Sequence, residues 1–339
     1  MIRRKLALAT ITALLVVGAT GLTSTASAAG SLTGAGSTLV APLMQQWANE
    51  YKSKTGTDIT YGAVGSGAGI QQITARSVDF GASDAPLKPS QAQQCNGCVQ
   101  IPWALTAVTA VYNLPGVKGL KLTPSVLSQI YLGKINSWDN AQIKRINPGK
   151  NLPSTHITVA FRSDGSGDTY AFSNYLWKVS SEWKSKVGIY ATSINFPVGV
   201  GGRGNDGIAS VVQSTEGAIG YISAAYALAH NMQVAAIQNA AKKYIFPNLP
   251  NISAAAKTIR RIPASNEMHI VSPSKKYKTA YPICTFTYAI VPKDSSKKSE
   301  LAAFVKYAIG DGQKFGPTLD FAPLPKVVKS AATRTVNSL

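Results

Sequence analysis

Ile157-Thr158-Val159-Ala160-Phe161-Arg162-Ser163-Asp164-Gly165-Ser166-Gly167-Asp168-Thr169 is the stretch on which the reading of this chain turns. Its first five residues are a short apolar run, rich in β-branched side chains, that suits a buried strand. After the turn, Tyr170, Phe172, Tyr175 and Leu176 recur at helical spacing. A Gly/Ser turn therefore opens a helix directly after a strand. The first N–H groups of a helix have no partner inside it, and the helix dipole adds positive potential, so such a turn is a ready anion site. The same logic recurs upstream at Gly65-Ser66-Gly67-Ala68-Gly69, before Ile70 and Ile73. It recurs again at Gly34-Ala35-Gly36-Ser37-Thr38, before Val40, Leu43, Met44, Trp47 and Tyr51. One loop of this kind is weak evidence. Three in one chain point to convergence on a small oxyanion.

Around these loops, strand and helix patterns alternate. Strand candidates are 59–61, 78–81, 107–112, 157–161, 219–222 and 285–291; helix candidates are 40–54, 67–76, 125–131, 168–179, 205–213, 223–230 and 300–310. The alternation predicts an α/β architecture of open sheets, whose ligands bind outside the carboxyl ends of the strands. The chain has 339 residues, enough for two domains. Residues 231–282 are Lys-rich with weak periodicity and read as a looser segment on the surface.

The N-terminus carries Arg3, Arg4 and Lys5, then an apolar run from Leu6 to Val17, then the small residues Ala26-Ser27-Ala28. This is the layout of a secretory signal peptide over 1–28, and it predicts an extracytoplasmic protein, periplasmic or secreted. No Cys stands near the cleavage point to carry a lipid, and no later run is long and apolar enough to span a membrane. The formal charge is +19. Residues 241–280 hold Lys242, Lys243, Lys257, Arg260, Arg261, Lys275, Lys276 and Lys278 against the single acid Glu267. The plain reading is a solvated surface; the sharper one is attraction to an anionic wall, lipid or ligand. Nucleic acid is not indicated, because aromatics are not interleaved with the basic residues.

Cys95-Asn96-Gly97-Cys98 suits a tight local disulfide in an oxidising compartment, with Cys284 a free, buried small hydrophobe. The helix-start setting of a redox motif and the additional ligands of a zinc site are not evident. His156, His230 and His269 are scattered, which argues against a histidine metal site or a catalytic triad. Gly81-Ala82-Ser83-Asp84-Ala85 falls one residue short of a nucleophile elbow, and the acid after Ser83 would oppose an oxyanion. The reading is a non-enzymatic protein with no cofactor and no metal. Arg162 alone would be an exposed strand-end charge, but it directly precedes the anion loop, with Asp84 and Asp164 as available partners. Asp84 alone would be a helix N-cap for the segment starting at Ala85-Pro86; Thr38 and Ser66 would likewise be caps, and Asp168 a carboxylate favoured by the helix dipole.

From about Leu32 onward the chain resembles the extracytoplasmic phosphate-binding proteins that feed phosphate ABC transporters. The resemblance rests on Thr33-Gly34-Ala35-Gly36-Ser37-Thr38, on Val78-Asp79-Phe80-Gly81-Ala82-Ser83-Asp84-Ala85-Pro86-Leu87, and on Ile130-Tyr131-Leu132-Gly133-Lys134-Ile135. Arg162 to Asp168 and Gly201-Gly202-Arg203-Gly204-Asn205-Asp206-Gly207-Ile208 add to it. It implies a two-lobed fold of the type II periplasmic-binding-protein kind, each lobe an open mixed sheet flanked by helices, with the ligand in the cleft between. The lobes would comprise 29–110 with 283–339, and 111–282. It implies a monomer that carries inorganic phosphate to a membrane permease. The rival classes are a secreted phosphatase and a wall-associated polyanion binder. By the resemblance, Thr38, Ser66, Ser166 and Gly167 donate to phosphate, Leu39 offers its backbone N–H, and Arg162 a charged fork. Asp84 accepts the proton of phosphate and so rejects sulfate, which has none to give. Asp168 stands where some relatives have Thr; with Asp84 it would favour dihydrogen phosphate.

Overall fold

The computed structural model describes residues 30–339; the signal peptide expected over 1–28 lies outside the described residues. Three parallel strands open the fold: β1 (Ser31–Gly36), β2 (Asp58–Ala63) and β3 (Phe80–Ser83). Helices α1 (Ala41–Thr55) and α2 (Ser66–Thr74) connect them. A short α3 (Pro89–Gln94) leads into β4 (Cys98–Tyr112), and β5 (Lys121–Leu122), α4 (Pro124–Tyr131) and α5 (Ala141–Ile146) follow. Next come β6 (Thr158–Arg162), α6 (Gly167–Val179), α7 (Ser181–Val187), β7 (Val200–Gly202), α8 (Gly204–Ser214), β8 (Ala218–Ser223) and α9 (Ala224–Ala229). Then β9 (Gln233–Val234), β10 (Ala236–Gln238), β11 (Tyr244–Ile245) and α10 (Leu249–Ala256) lead to β12 (Cys284–Pro292), α11 (Lys298–Ile309) and α12 (Lys326–Val336).

The main sheet runs in the order β2-β1-β3-β12-β4-β8-β6-β7, with β9 also on β4. The long strand β4 belongs to both of its halves. Cys98 to Ala107 pair antiparallel with β12, and Val108 to Tyr112 pair antiparallel with β8. The two sheets expected for two lobes are thus joined along one strand. Pro102 explains the irregularity in its first half. Proline has no N–H to give to the ladder, and the register with β12 slips there, Thr287 facing Ala104 and Tyr288 facing Pro102. Trp103, the extra residue, is fully buried and donates its indole N–H to Thr287 Oγ1 at 3.2 Å.

Aromatics fill the core on each side. Trp103 packs on Phe80 and Trp47 in the first half, at centroid distances of 5.9 and 5.3 Å. Phe172 stacks on Tyr221 in the second, at 4.4 Å. Contrary to the expectation of a loose segment, 231–282 is tied down. It contributes β9, β10, β11 and α10 and buries Ala235, Ile237, Ile252, Ile270 and Tyr281. Its weak periodicity reflects short elements, each too brief to show a pattern. Cys95 and Cys98 are joined in a disulfide with Cα atoms 5.5 Å apart, and Cys284 is free and buried in β12.

Candidate functional site

The site lies where the carboxyl ends of β1, β3 and β6 meet the starts of α1, α2, α6 and α8. β1 ends at Gly36, and the chain turns through Ser37 and Thr38 into α1. β3 ends at Ser83 and delivers Asp84. β6 ends on Arg162, and the turn that follows places Ser166 at the N-cap of α6, its hydroxyl accepting from Thr169 N–H at 3.3 Å. Direct contacts join the two halves of the sheet here. Gly67 N–H donates to Gly165 O at 2.8 Å, and Gly167 N–H to Ser66 Oγ at 3.2 Å. Gly167 has to be glycine for this approach, because a Cβ there would overlap the Asp84 side chain.

Every residue singled out from sequence is buried and drawn into this place: Thr38, Leu39, Ser66, Asp84, Arg162, Ser166, Gly167 and Asp168. Arg162 is 4% exposed, so the surface-charge reading fails. Its Nε and Nη2 donate to the two oxygens of Asp164 at 2.7 and 2.6 Å, and Nη1 donates to Asp168 Oδ2 at 2.6 Å. A guanidinium has five N–H donors. Three are engaged, which leaves one on each terminal nitrogen. The charged fork expected for a ligand is thus partly taken, and its side edge is held by Asp164. Asp84 is not a helix cap either, since α3 begins at Pro89. Its carboxylate accepts from Ser37 Oγ at 2.6 and 2.7 Å and from Ser66 Oγ at 3.3 Å. Neither Thr38 nor Ser66 caps a helix through its side chain, because the caps of α1 and α2 fall on Val40 and Gly65. Leu39 is fully buried in the core, so its backbone is the only part free to meet an anion.

Asn205 was not picked out from sequence as a site residue, yet it stitches the network together. Its Nδ2 donates to Thr38 Oγ1 at 2.7 Å and to Asp168 Oδ2 at 3.0 Å, while Ser223 N–H fixes its Oδ1 at 2.8 Å. The signal was available: Asn205 follows Gly204 at the start of α8, after a glycine-rich strand end, as in the other loops. Ser37 and Tyr221 were missed as well. Tyr221 accepts the Arg162 N–H at 3.0 Å and shares a 2.7 Å hydrogen bond with Thr169.

The electrostatics follow from burial. Burial, then the nearby Asp168 charge, pushes Asp84 up to about 7 against the opposing hydrogen bonds of Ser37 and Thr287 and the charge of Arg162. Burial also raises Asp168, against the pull of Arg162 and Asn205. Burial disfavours the charged form of Arg162, but Asp164 and Asp168 outweigh it and keep the guanidinium charged. Arg162 likewise outweighs the burial of Asp164 and lowers that carboxyl. One oxygen of the site is left over: Asp168 Oδ1 is buried without a hydrogen-bond partner among the described residues. Buried polar atoms are almost always paired, so this oxygen marks a place for a donor.

The chain as a whole is similar to known proteins. The PBP superfamily domain matches residues 23–311. The chain is 42% identical over 299 residues to a phosphate-binding protein PstS of Xylella fastidiosa, covering 87% of this chain and 81% of that one. It is 37% identical over 303 residues to the PstS of Pasteurella multocida, covering 88% and 87%. The chain belongs to the PstS family of phosphate-binding proteins. PstS 2 of Mycobacterium tuberculosis is 32% identical over 321 residues, covering 90% and 86%. Among solved structures, the fold matches a high affinity periplasmic phosphate-binding protein, PfluDING, with a TM-score of 0.71 at 21% identity, covering 90% of this chain and 93% of that one. A phosphate-binding protein of Stenotrophomonas maltophilia matches with a TM-score of 0.72 at 20% identity, covering 90% and 94%. The architecture is the two-lobed α/β binding-protein fold. These relatives carry the names of binding proteins rather than enzymes. No helix among the described residues is long and apolar enough to cross a membrane.

Proposed function

We infer that this chain binds one inorganic phosphate between the halves of its sheet and hands it to the permease of an ABC transporter. It acts outside the cytoplasm as a monomer that carries phosphate without transforming it. One observation carries this reading. A buried Arg162 with two N–H groups to spare shares the meeting of four helix starts with the buried carboxylates Asp84 and Asp168. Donors alone would hold any small oxyanion. Donors beside acceptors suit one that still carries protons.

Thr38 and Ser66, the N–H groups of Leu39 and Gly167, Ser166 and the free edge of Arg162 would surround the oxygens. Asp84 would accept one phosphate proton, and the unpartnered Oδ1 of Asp168 a second. Sulfate has no proton at neutral pH and would leave both carboxylates facing it unpaired. The lobes would be 29–110 with 283–339, and 111–282. The passage of β4 from β12 to β8 between Ala107 and Val108 supports a boundary near there. Calorimetric titration tests the reading. Phosphate should bind one per chain and raise the melting temperature, since it binds only the folded state. Sulfate at the same concentration should do far less. Equal stabilisation by the two anions would overturn the assignment of the carboxylates.

A further inference from the structure

Specific contacts hold together the backbone that carries five of the basic residues of 241–280. Asn239 ties two segments of it: its Nδ2 donates to Lys278 O at 3.0 Å, and its Oδ1 accepts from Lys243 N–H at 3.1 Å. Tyr277 ties the rest. Its hydroxyl donates to Lys257 O at 3.2 Å, and Lys276 Nζ lies 5.0 Å from its ring centroid. Desolvation pushes the Tyr277 phenol up, but hydrogen bonding to Arg260 and the charge of Lys276 outweigh it and lower its pKa. Lys243, Lys257, Arg260, Lys276 and Lys278 are all exposed.

None of these five joins an ion pair among the described residues, although ion pairs occur elsewhere on the surface. Glu267, the only acid in the segment, shares a 2.9 Å hydrogen bond with His269 Nε2 and pairs with none of the five. A cationic face without counter-charges of its own is complementary to an external anion. Exposed large apolar side chains lie on neighbouring segments. Phe246, 44% exposed, directly follows β11, which begins one residue after Lys243. Leu228, 49% exposed, borders the same cavity as Pro247. Asp320 also borders that cavity. Basic side chains beside an exposed Phe and Leu fit a bilayer interface, which offers both anionic headgroups and an acyl boundary. A hydrated polymer offers only the first.

We propose that this face docks the protein on an anionic lipid bilayer. The docking is separate from phosphate binding, since none of its residues lies in the cleft. Sedimentation with vesicles tests it. The protein should pellet with phosphatidylcholine–phosphatidylglycerol vesicles at low salt, leave them at high salt, and ignore pure phosphatidylcholine. One basic residue near such a surface changes partitioning about fivefold, so Lys243→Glu, Arg260→Glu and Lys276→Glu together should lower it at least about a hundredfold. The matching Gln substitutions serve if the Glu variant does not fold. Both variants should titrate phosphate as the parent does. A control triple, Lys306→Glu, Lys326→Glu and Lys329→Glu, makes the same change in net charge elsewhere and should lower binding far less. Equal losses from the two triples would show a net-charge effect and overturn the located face. Binding to soluble heparin with none to vesicles would overturn the membrane assignment.

Discussion

The end of β3 and the start of α6 each bury an aspartate at the cleft, Asp84 and Asp168, and both are 1% exposed. Their surroundings are opposite. Among the described residues Asp84 meets hydroxyls, from Ser37 and Ser66, and no cation within hydrogen-bonding reach. Asp168 meets the Arg162 guanidinium at 2.6 Å, the Asn205 amide at 3.0 Å and Ser166. A buried carboxylate must be neutralised, paired or hydrogen-bonded. Asp84 takes the first course and holds its proton up to about pH 7. Asp168 takes the second: burial raises its pKa too, but the Arg162 guanidinium bonded to it opposes that rise with a charge that Asp84 does not touch. One half of the cleft thus supplies an acceptor that titrates, and the other an acceptor fixed by its counter-ion.

Removing the counter-ion should have the largest effect. Arg162→Ala takes donors from the ligand and leaves the buried Asp168 and the half-buried Asp164 without their cation. Phosphate affinity should fall by about 2–5 kcal/mol, and the ligand-free protein should melt earlier, because breaking a buried pair strands a charge. Calorimetry and thermal melts read both. Arg162→Lys sharpens the test: it keeps the charge but cannot hold both carboxylates through one planar fork. A folded Ala variant with the parent's affinity would show that Asp168 does not depend on Arg162.

The titrating side is tested by Asp84→Asn. The folded pKa of Asp84 is about 7 against an ordinary 3.8, so between those values the folded state holds a proton that the unfolded state has lost. The contribution of Asp84 is therefore fully present below pH 3.8 and is lost as pH rises towards about 7. The slope is at most about 1.4 kcal/mol per pH unit. Asp84→Asn should flatten it in ligand-free melts. It should also narrow the gap between phosphate and sulfate by about 1–3 kcal/mol, because an amide donates where the carboxylate only accepted. An unchanged gap would place the discrimination elsewhere.

Asp168→Thr tests the fixed side. If Asp84 and the free Oδ1 of Asp168 each accept a proton, the bound ligand is dihydrogen phosphate. Above neutrality, free phosphate has lost one of those protons, so binding must take one up. Apparent affinity should then fall about tenfold, or about 1.4 kcal/mol, per pH unit on the alkaline side. Below neutrality Asp84 is itself protonated and must release its proton, so affinity should peak near pH 7. With Thr at 168 the ligand needs only the proton shared with Asp84, and the alkaline limb should become flat. Identical pH profiles for the two proteins would remove Asp168 from the ligand set.

The three anion loops were legible in the sequence because each is a local pattern, a strand, a glycine turn and a helix in succession. What the pattern hid is non-local. Ser37 finds Asp84 across 47 residues, and Asn205 finds Thr38 across 167. Gly34 and Gly36 hide β1 by making it look like loop, yet Gly34 is there for Phe80, whose ring would overlap any side chain at that position. Gln100 and Pro102 interrupt the apolar run of the first half of β4 and hide it too; the register slip opposite Pro102 absorbs the missing donor. The engagement of Arg162 by Asp164 and Asp168 shows how far a short motif can be read. It places the guanidinium at the site, but how many of its donors remain depends on the turn that folds back on it.

The smallest effects separate the two aspartates most cleanly, because each has a serine neighbour to remove. Ser37 Oγ lies 2.6 and 2.7 Å from the oxygens of Asp84, while Ser166 Oγ lies 3.4 Å from Asp168 Oδ2 and accepts from Thr169 N–H as the cap of α6. Ser37→Ala withdraws a donor that favours the ionised form of Asp84 without supplying a charge. It should move the midpoint of the pH-dependent melt upward and cost about 1 kcal/mol of phosphate affinity at pH 8, where Asp84 has to be ionised to accept a proton. Ser166→Ala removes a cap, so it should cost about 1 kcal/mol of stability at every pH and leave that midpoint in place, because Arg162 still holds Asp168. The two variants thus predict different signatures from the same chemical change, a shift along the pH axis against a uniform drop. If Ser166→Ala moves the midpoint as far as Ser37→Ala does, the two carboxylates titrate as one pair and the division between a titrating side and a fixed side is wrong.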